Sequence, residues 1–204
     1  MKDVQPIRDE LILKEFMKEL RENNERDFMI FVVGISSGFR ITDQLKLFVE
    51  DVRNRDYFKI TESKTRKIRR VPIDYDVKRL LDDYISGRPD KEYLFPSRQK
   101  NKMGDLKPLD RTTVYKMLNK VAKKIGIWDN FGCHSMRKTF GYFHYKKYKD
   151  LAALMAIFGH SKPEITLRYI GMTQSIVNKT VLGLRILRGK IPPKGDQADG
   201  TQND

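Results

Sequence analysis

Several features that define other classes of protein are missing from this sequence. Among 204 residues there is one cysteine, Cys133, so a network of disulfides within the chain is excluded. No apolar run approaches the length needed to cross a bilayer, and the first residues lack the apolar segment of a secretory signal. These absences predict a cytoplasmic protein in a reducing environment, with Cys133 as a small buried filler and not a nucleophile.

Positive charge is present in large excess and is unevenly distributed. The formal net charge is +14. Residues 1–27 carry eight acids against six bases, and residues 188–204 carry three of each, so the whole excess lies in 28–187. The densest basic runs are 64–70, 98–124 and 137–149. An excess of this size in the middle of the chain favours a polyanionic partner, and nucleic acid is the first candidate.

Apolar periodicity predicts a chain that is mainly helical. A short helix is expected after Arg40, and Asp74 is placed to cap a later one. A capping box that starts at Ser161, with a proline in its first turn, predicts the start of a helix that carries Tyr169. The other predicted helices span 8–23, 28–35, 111–125, 134–147, 151–158 and 174–187.

Strand patterns occur at one place in the chain. Residues 57–61 and 68–73 read as the two strands of a hairpin with a basic tip. Residues 86–110 are rich in proline, glycine and charge and are predicted to be a loop. Strands and helices do not alternate, which excludes a doubly wound α/β fold. The predicted class is therefore α+β, mainly helical with a small antiparallel sheet, followed by a disordered tail over 188–204.

Five side chains suited to phosphate chemistry lie next to turns, helix ends or helix positions that would fix their place in the fold. Arg40 follows the Ser37–Gly38 break, and His134 and Arg137 are three apart, hence on one face of a helix. His160 directly follows Gly159, and Tyr169 comes nine residues after that histidine. Each of these signals has an ordinary explanation when it is taken alone, as a surface pair, a helix end or a core tyrosine.

The order and spacing of the five residues over roughly 5–187 resemble the catalytic domain of the tyrosine recombinases, the phage integrase family. The resemblance implies two further functional residues. Lys64 occupies the place of a lysine in the tip of the hairpin, with Lys67 as a poorer alternative. Asp43 occupies the place of an acid that holds the first arginine of the site in position. The alternative is that Asp43 caps a local helix or forms a structural ion pair.

The chain departs from the family pattern at three places. Phe39 and Phe158 stand where leucine is frequent, and residues 170–171 replace a Thr-His pair after the tyrosine. No departure removes a reactive group.

The resemblance implies metal-free cleavage of DNA strands. Arg40 and Arg137 would clamp a phosphodiester with two planar cationic forks. Tyr169, with an unperturbed pKa near 10, needs help to attack at neutral pH, and His134 is the plausible base. By resemblance, His160 donates a hydrogen bond to the transition state and Lys64 protonates the departing 5′-oxygen.

The product would be a 3′-phosphotyrosine and a free 5′-hydroxyl, and attack by a 5′-hydroxyl from another duplex would exchange strands. The phosphoester is conserved, so neither ATP nor another cofactor is needed. The sequence also shows no carboxylate cluster for Mg²⁺ and no Cys/His set for Zn²⁺.

The expected partner is double-stranded DNA. Basic residues of the hairpin would follow its backbone, and the helix that begins at 111 resembles the recognition helix of a helix-turn-helix protein. The candidate DNA-binding residues are Arg66, Lys67, Arg69, Arg111, Thr112, Thr113 and Lys116. Self-association on DNA, as a tetramer in the synapse, is expected through the apolar face of helix 174–187, for which docking on its own domain is the alternative.

Residues 1–187 are predicted to form the catalytic domain. Family members usually carry a DNA-binding domain of about a hundred residues ahead of it, and the sequence predicts that this domain is absent, since the catalytic pattern begins almost at Met1. The sequence does not decide between a chain cut at the domain boundary and a naturally short protein. The predicted function is site-specific recombination, in the service of a mobile element. A type IB topoisomerase and a non-catalytic DNA-binding protein are the alternatives.

Overall fold

The computed structural model describes residues 4–61, 68–127 and 130–171, together with the single positions 178 and 183. The chain divides into two units, Met1–Gly171 and Met172–Asp204. The helices of the first unit are α1 (Glu10–Asn23), α2 (Glu25–Ser37), α3 (Ile41–Gln44), α4 (Tyr75–Tyr84), α5 (Arg111–Lys124), α6 (Cys133–Tyr148), α7 (Leu151–Phe158) and α8 (Pro163–Tyr169). Its strands are β1 (Tyr57–Thr61), β2 (Ile68–Pro72), β3 (Pro96–Lys100) and β4 (Leu106–Pro108).

Helix α2 forms the centre of the core. Its residues 28–34 are all buried, because a helix that is apolar on every side is stable only when other elements surround it. Helices α1, α4 and α6 pack against it. Phe16 of α1 stacks on Phe31 of α2 with ring centroids 4.7 Å apart. The predicted helix at 28–35 is thus confirmed, and it extends back to Glu25.

Acidic and amide side chains begin most of the helices. Asp9, Asn24, Asp74, Asp110 and Asp150 each accept hydrogen bonds from backbone amides in the first turn of the helix that follows. These amides have no partner within the helix, so such caps stabilise it and define its first residue. The cap predicted at Asp74 is confirmed.

The capping box predicted at Ser161 is wrong by one position. The residue before α8 is Lys162, and no side chain caps this helix. Pro163 is the first helical residue, and its fixed φ and missing amide suit that position without a cap. The prediction that this helix carries Tyr169 is confirmed, since Tyr169 is its last residue.

The prediction that 86–110 is a loop is wrong as well, because a second antiparallel hairpin, β3–β4, lies within it. The side chain of Asn101 accepts from the amides of Met103 and Asp105 and so closes the turn. Strand β3 is largely exposed and polar, so it has no alternation of apolar side chains for a sequence pattern to detect.

The first hairpin, β1–β2, is confirmed. Phe58 and Ile60 of β1 point into the core, while β2 alternates between exposed and half-buried positions. The predicted class, mainly helical with small antiparallel sheet, is also confirmed. Within the residues described, no helix is long and apolar enough to span a membrane. The predicted basic tip at 62–67, with Lys64, Arg66 and Lys67, and the tail 188–204 lie outside the described residues, as does the predicted helix 174–187 apart from the single positions 178 and 183.

Candidate active site

The break after α2 places Arg40 at the start of α3. Gly38 ends α2 with φ +65, a left-handed conformation that glycine adopts without steric cost. A Cβ at this position would lie 2.6 Å from the ring of Phe140, so the turn also depends on the missing side chain. Arg40 follows as the N-cap of α3, and its Nη2 donates to the carbonyl oxygen of Phe158 at 3.4 Å.

Helix α6 presents His134 and Arg137 one turn apart. Arg137 is almost fully buried, with 3% of its surface exposed. Its guanidinium donates to the carbonyl of Gly38 and, at 2.9 Å, to that of Phe158. Arg40 and Arg137 therefore share the Phe158 carbonyl as an acceptor, which brings together two arginines that are 97 positions apart in sequence.

The electrostatic surroundings of Arg137 favour an anion. Burial, opposed in part by Tyr169 and reinforced by the positive charges of Arg40 and Arg69, lowers the pKa of Arg137 to about 10. At neutral pH the side chain still carries its charge. Three guanidinium groups close to one another form a site in which a phosphate diester would relieve the mutual repulsion.

Tyr169 lies next to the base predicted for it. Its hydroxyl is 3.3 Å from Nδ1 of His134. Desolvation lowers the pKa of His134, and so do the positive charges of Arg111, Arg137, Lys138 and Arg40. His134 is therefore neutral at pH 7, the form in which an imidazole nitrogen accepts a proton.

The orientation of His160 is set by the glycine that precedes it and by a threonine that follows it in the sequence. Gly159 ends α7 in the left-handed conformation, with φ +62, and the chain turns back toward α8. Nδ1 of His160 then lies 2.9 Å from the hydroxyl of Thr166, which is fully buried in α8. This contact holds the imidazole ring in one orientation beside Tyr169, with ring centroids 5.4 Å apart.

Phe158 packs between the reactive groups. Its ring centroid is 4.3 Å from the guanidinium carbon of Arg137, 5.4 Å from the His160 ring and 5.3 Å from the Tyr169 ring. Phe158 stands where leucine is frequent in the family, and its ring places an aromatic face against the buried guanidinium of Arg137. This contact stabilises the positive charge of Arg137.

Lys64, Arg66 and Lys67 lie outside the described residues, and the other predicted residues fall into three groups. Asp43 is buried three residues after Arg40, at the place expected for a bracing acid. Arg69 of β2 is brought to the site, where it donates to the carbonyl of Ile157 at 3.0 Å. The predicted DNA contacts at the start of α5 are exposed, and they are Arg111, Thr112, Thr113 and Lys116.

A cleft connects the start of α5 to the active site. It is lined by Arg111, Thr112, Tyr115, Cys133 and His134, among others. Cys133 is buried as predicted, and this burial raises the pKa of its thiol. In the part of the chain that the structure describes, no group of His, Cys, Asp and Glu is arranged to hold a metal ion.

Comparison with known proteins agrees with this geometry. Residues 9–175 match the phage integrase family. The chain is 40% identical over 171 residues to "Probable integrase/recombinase YoeC" of Bacillus subtilis, covering 84% of this chain and 91% of that protein.

The chain belongs to the phage integrase family.

Other similar proteins have lower sequence identity to this chain and are longer than it. A "Tyrosine recombinase" of Pseudothermotoga lettingae is 28% identical over 169 residues, which cover 80% of this chain and only 56% of that protein. The crystal structure of XerA recombinase superposes with a TM-score of 0.68 at 23% identity, over 90% of this chain and 66% of that one. The Tn1549 transposon integrase in complex with a circular intermediate DNA gives 0.64 at 18% identity, over 90% and 67%.

Family membership confirms three predictions made from the sequence. They are the resemblance itself, the mainly helical fold and the enzyme class, a tyrosine recombinase that acts in DNA recombination. The roles of the individual site residues rest on the geometry described above and on the resemblance.

Sequence reasoning missed two residues of this phage integrase site. Thr166 contacts His160, and Lys138 is a buried lysine whose ammonium lies 5.2 Å from the ring centroid of Tyr169. A buried lysine directly after Arg137 cannot be recognised among 41 basic residues. Thr166 carried a weak signal, since it lies one turn before Tyr169 on the same predicted helix.

The contact of Thr166 with His160 gives a testable expectation. Thr166→Val keeps the volume but removes the hydroxyl, so we expect cleavage to slow by about tenfold as His160 loses its fixed orientation. Thr166→Ser restores the hydroxyl and is the matched control, which should stay within about twofold of the parent. Single-turnover cleavage at saturating protein measures both, and equal rates for the two variants would contradict the assigned role.

Proposed function

We propose that this chain is a site-specific recombinase that cleaves and rejoins double-stranded DNA through a 3′-phosphotyrosine on Tyr169. The observation that carries the proposal is the contact of the Tyr169 hydroxyl with Nδ1 of His134, at 3.3 Å, beside the buried guanidinium of Arg137. Nucleophile, base and phosphate clamp therefore lie together although they come from separate parts of the chain.

The first chemical step begins with proton transfer from Tyr169 to the neutral His134. The phenolate oxygen attacks the phosphorus of the scissile diester. Arg40 and Arg137 hold the non-bridging oxygens, where negative charge is concentrated in the transition state. Both guanidinium groups are held by the Phe158 carbonyl, so little reorganisation is needed when the phosphate binds.

The leaving 5′-oxygen needs a proton as its bond to phosphorus breaks. By the family resemblance, Lys64 supplies it and His160 donates a hydrogen bond to the transition state. Attack of a 5′-hydroxyl from a second duplex on the phosphotyrosine reverses these steps and exchanges strands. The phosphoester bond energy is kept throughout, so the reaction needs neither ATP nor a cofactor.

Binding of DNA is supported by the charge excess and by the position of Arg111 at a cleft that leads to His134. Arg66, Lys67 and Arg69 would follow the DNA backbone, and Thr112, Thr113 and Lys116 would face a groove. By resemblance, the protein assembles as a tetramer on DNA through residues 174–187 and acts in the cytoplasm for a mobile element, a role supported by the similarity to a transposon integrase.

The test uses a nicked duplex that carries the attachment site, so that cleavage releases a short fragment and traps the intermediate. We expect a protein–DNA adduct that survives denaturation and whose phosphopeptide maps to Tyr169. DNA binding without any adduct would favour a non-catalytic binding protein. Addition of a second duplex then separates strand exchange from the religation of the same strand by a topoisomerase. Low salt is needed, because phosphate contacts weaken steeply as salt rises.

The state of His134 predicts a particular pH dependence. The rate of adduct formation should fall on the acid side as His134 becomes protonated, with a midpoint below 6.5, because desolvation and neighbouring cations lower the pKa of His134. Arg111→Ala removes one of these cations, so the midpoint should move to higher pH. A rate profile at low salt measures both. Lys120→Ala, on the exposed side of α5, is the control, and an Arg111→Ala profile that coincides with the parent would contradict this account.

A further inference from the structure

Lys138 is a buried charged side chain to which the proposed mechanism assigns no role. Only 3% of its surface is exposed, and among the residues that the structure describes, the other charged side chains buried as deeply are Asp43 and Arg137. Removing an ammonium from water costs free energy that an apolar side chain of similar length would not cost. A charge that is kept in such a place, next to reactive groups, is therefore a candidate for a function.

Lys138 faces the predicted nucleophile from α6. It lies four residues after His134, so the two side chains leave the helix from one face. Nδ1 of His134 lies 3.3 Å from the Tyr169 hydroxyl, and Nζ of Lys138 lies 5.2 Å from the centroid of the Tyr169 ring. One face of α6 thus contacts Tyr169 at two points, the oxygen through His134 and the ring through Lys138.

Two aromatic rings also border the ring of Tyr169. Those of Phe158 and His160 stand edge-on to it, with centroids 5.3 and 5.4 Å away. These rings exclude water from part of the surface of Tyr169, and a charge acts more strongly where water does not screen it. The two arginines of the phosphate clamp donate to the Phe158 carbonyl, whereas Lys138 lies against the ring of the nucleophile.

The position of this cation matters because a phenolate shares its negative charge between the oxygen and the ring. The attraction between the ammonium of Lys138 and the ring face is therefore stronger for the phenolate of Tyr169 than for the neutral phenol. A neighbouring cation activates other nucleophiles in the same way. Lys138 also disfavours protonation of His134, because its charge adds to the effects of desolvation, Arg111 and Arg137 that lower the pKa of His134.

We propose that Lys138 activates the nucleophile by holding its positive charge against the Tyr169 ring while His134 removes the phenolic proton. The inference rests on the proposed function and adds to it a third residue of α6 that acts on the first step. The proton passes from the Tyr169 oxygen to Nδ1 of His134, and that oxygen forms its bond to phosphorus as the bond from phosphorus to the 5′-oxygen breaks. The ammonium of Lys138 keeps its proton throughout. Lys138 acts through Tyr169 and is therefore a positioning residue.

The experiment compares Lys138→Met with Lys147→Met in single-turnover cleavage of the nicked duplex, at low salt and saturating protein, between about pH 6 and about pH 10. Methionine keeps most of the apolar stem of lysine and removes the charge. Lys147 is the matched control because it is an exposed lysine of the same helix, and its Nζ lies 5.1 Å from the ring centroid of another tyrosine, Tyr148.

We expect Lys138→Met to cleave about tenfold to thirtyfold more slowly than the parent near neutral pH. The difference should narrow as the pH rises toward about 10, because hydroxide then forms the phenolate without help. The acid limb of the profile should move to higher pH, since the loss of the Lys138 charge raises the pKa of His134. Lys147→Met should follow the parent within about twofold at every pH. The other charged or titratable groups that face this cluster stay the same in both variants, and they are Arg40, Arg69, Arg111, Arg137 and His160.

An equal loss at every pH would overturn the proposal and assign Lys138 to the packing of the site, and a parent-like rate at neutral pH would overturn it as well. Thermal unfolding checks that the variant is folded. If Lys138→Met does not fold, Lys138→Gln, which keeps a polar head and also removes the charge, takes its place with the same expected profile. If neither the parent nor Lys147→Met forms an adduct, the proposed function itself fails, a result distinct from a defect limited to position 138.

Discussion

Tyr169→Phe is expected to abolish adduct formation, with a loss of about 10⁴-fold or more that takes the rate below detection. The substitution removes only the hydroxyl that lies 3.3 Å from Nδ1 of His134. The ring remains, and with it the contact to Phe158 at 5.3 Å between centroids. In the proposed reaction that oxygen forms the covalent bond of the intermediate, so its removal leaves position 169 without a nucleophilic atom.

The measurement is a denaturing gel with the nicked duplex, together with a mobility shift under native conditions. Tyr148→Phe is the matched control, since Tyr148 is a tyrosine of α6 that is 59% exposed. We expect it to cleave like the parent. Tyr169→Phe should bind DNA with unchanged affinity, because a phenol hydroxyl contributes no charge toward the phosphates. An adduct that persists in Tyr169→Phe would show that another residue is the nucleophile.

Arg137→Lys is expected to slow cleavage by about 10³-fold, equivalent to a barrier higher by about 4 kcal/mol. The guanidinium of Arg137 is buried and donates to two carbonyls, those of Gly38 and Phe158. Lysine keeps the charge but concentrates it at one nitrogen, so it cannot keep both carbonyls and also present a planar fork to a phosphate. The loss should therefore appear although the net charge of the protein is unchanged.

The control for this variant is Arg79→Lys, an exposed arginine of α4 whose side chain is 69% exposed. We expect Arg79→Lys to retain the full rate. This result would show that the loss in Arg137→Lys comes from the geometry at that position and not from replacing any arginine by lysine. Single-turnover rates at saturating protein measure the chemical step, and thermal unfolding shows that the variants are folded. If Arg137→Lys cleaves within about tenfold of the parent rate, a positive charge alone is sufficient at this position.

Local chemistry explains why many elements could be predicted from the sequence. The run of apolar residues over 28–33 can only form a buried element, and Gly38 marks its end. Asp74 caps the next helix through its own side chain. The alternation over 57–61 describes a strand that is buried on one face. In each case the interactions that determine the structure lie within a few residues in sequence.

The failures have a physical reason as well. Strand β3 is formed by backbone pairing with β4. Its side chains are mostly polar and exposed, so the sequence of this strand shows no alternation of apolar and polar residues. The start of α8 moved from the predicted capping box to Pro163 because a proline at the first helical position needs no cap. The contact of Thr166 with His160 joins two residues that a sequence pattern shows only as separate polar positions.

The sequence by itself determined which reaction the chain is built for. The types, order and spacing of Arg40, His134, Arg137, His160 and Tyr169 resemble one family, for which the resemblance implies phosphoryl transfer to a tyrosine, and the match of residues 9–175 confirms that family. Only the tertiary structure decided how these groups are held. The end of α7 collects Arg40, Arg69 and Arg137 because unpaired helix carbonyls attract cations, and that attraction acts between residues up to 118 positions apart. A linear pattern carries no information about such a contact until the chain is folded.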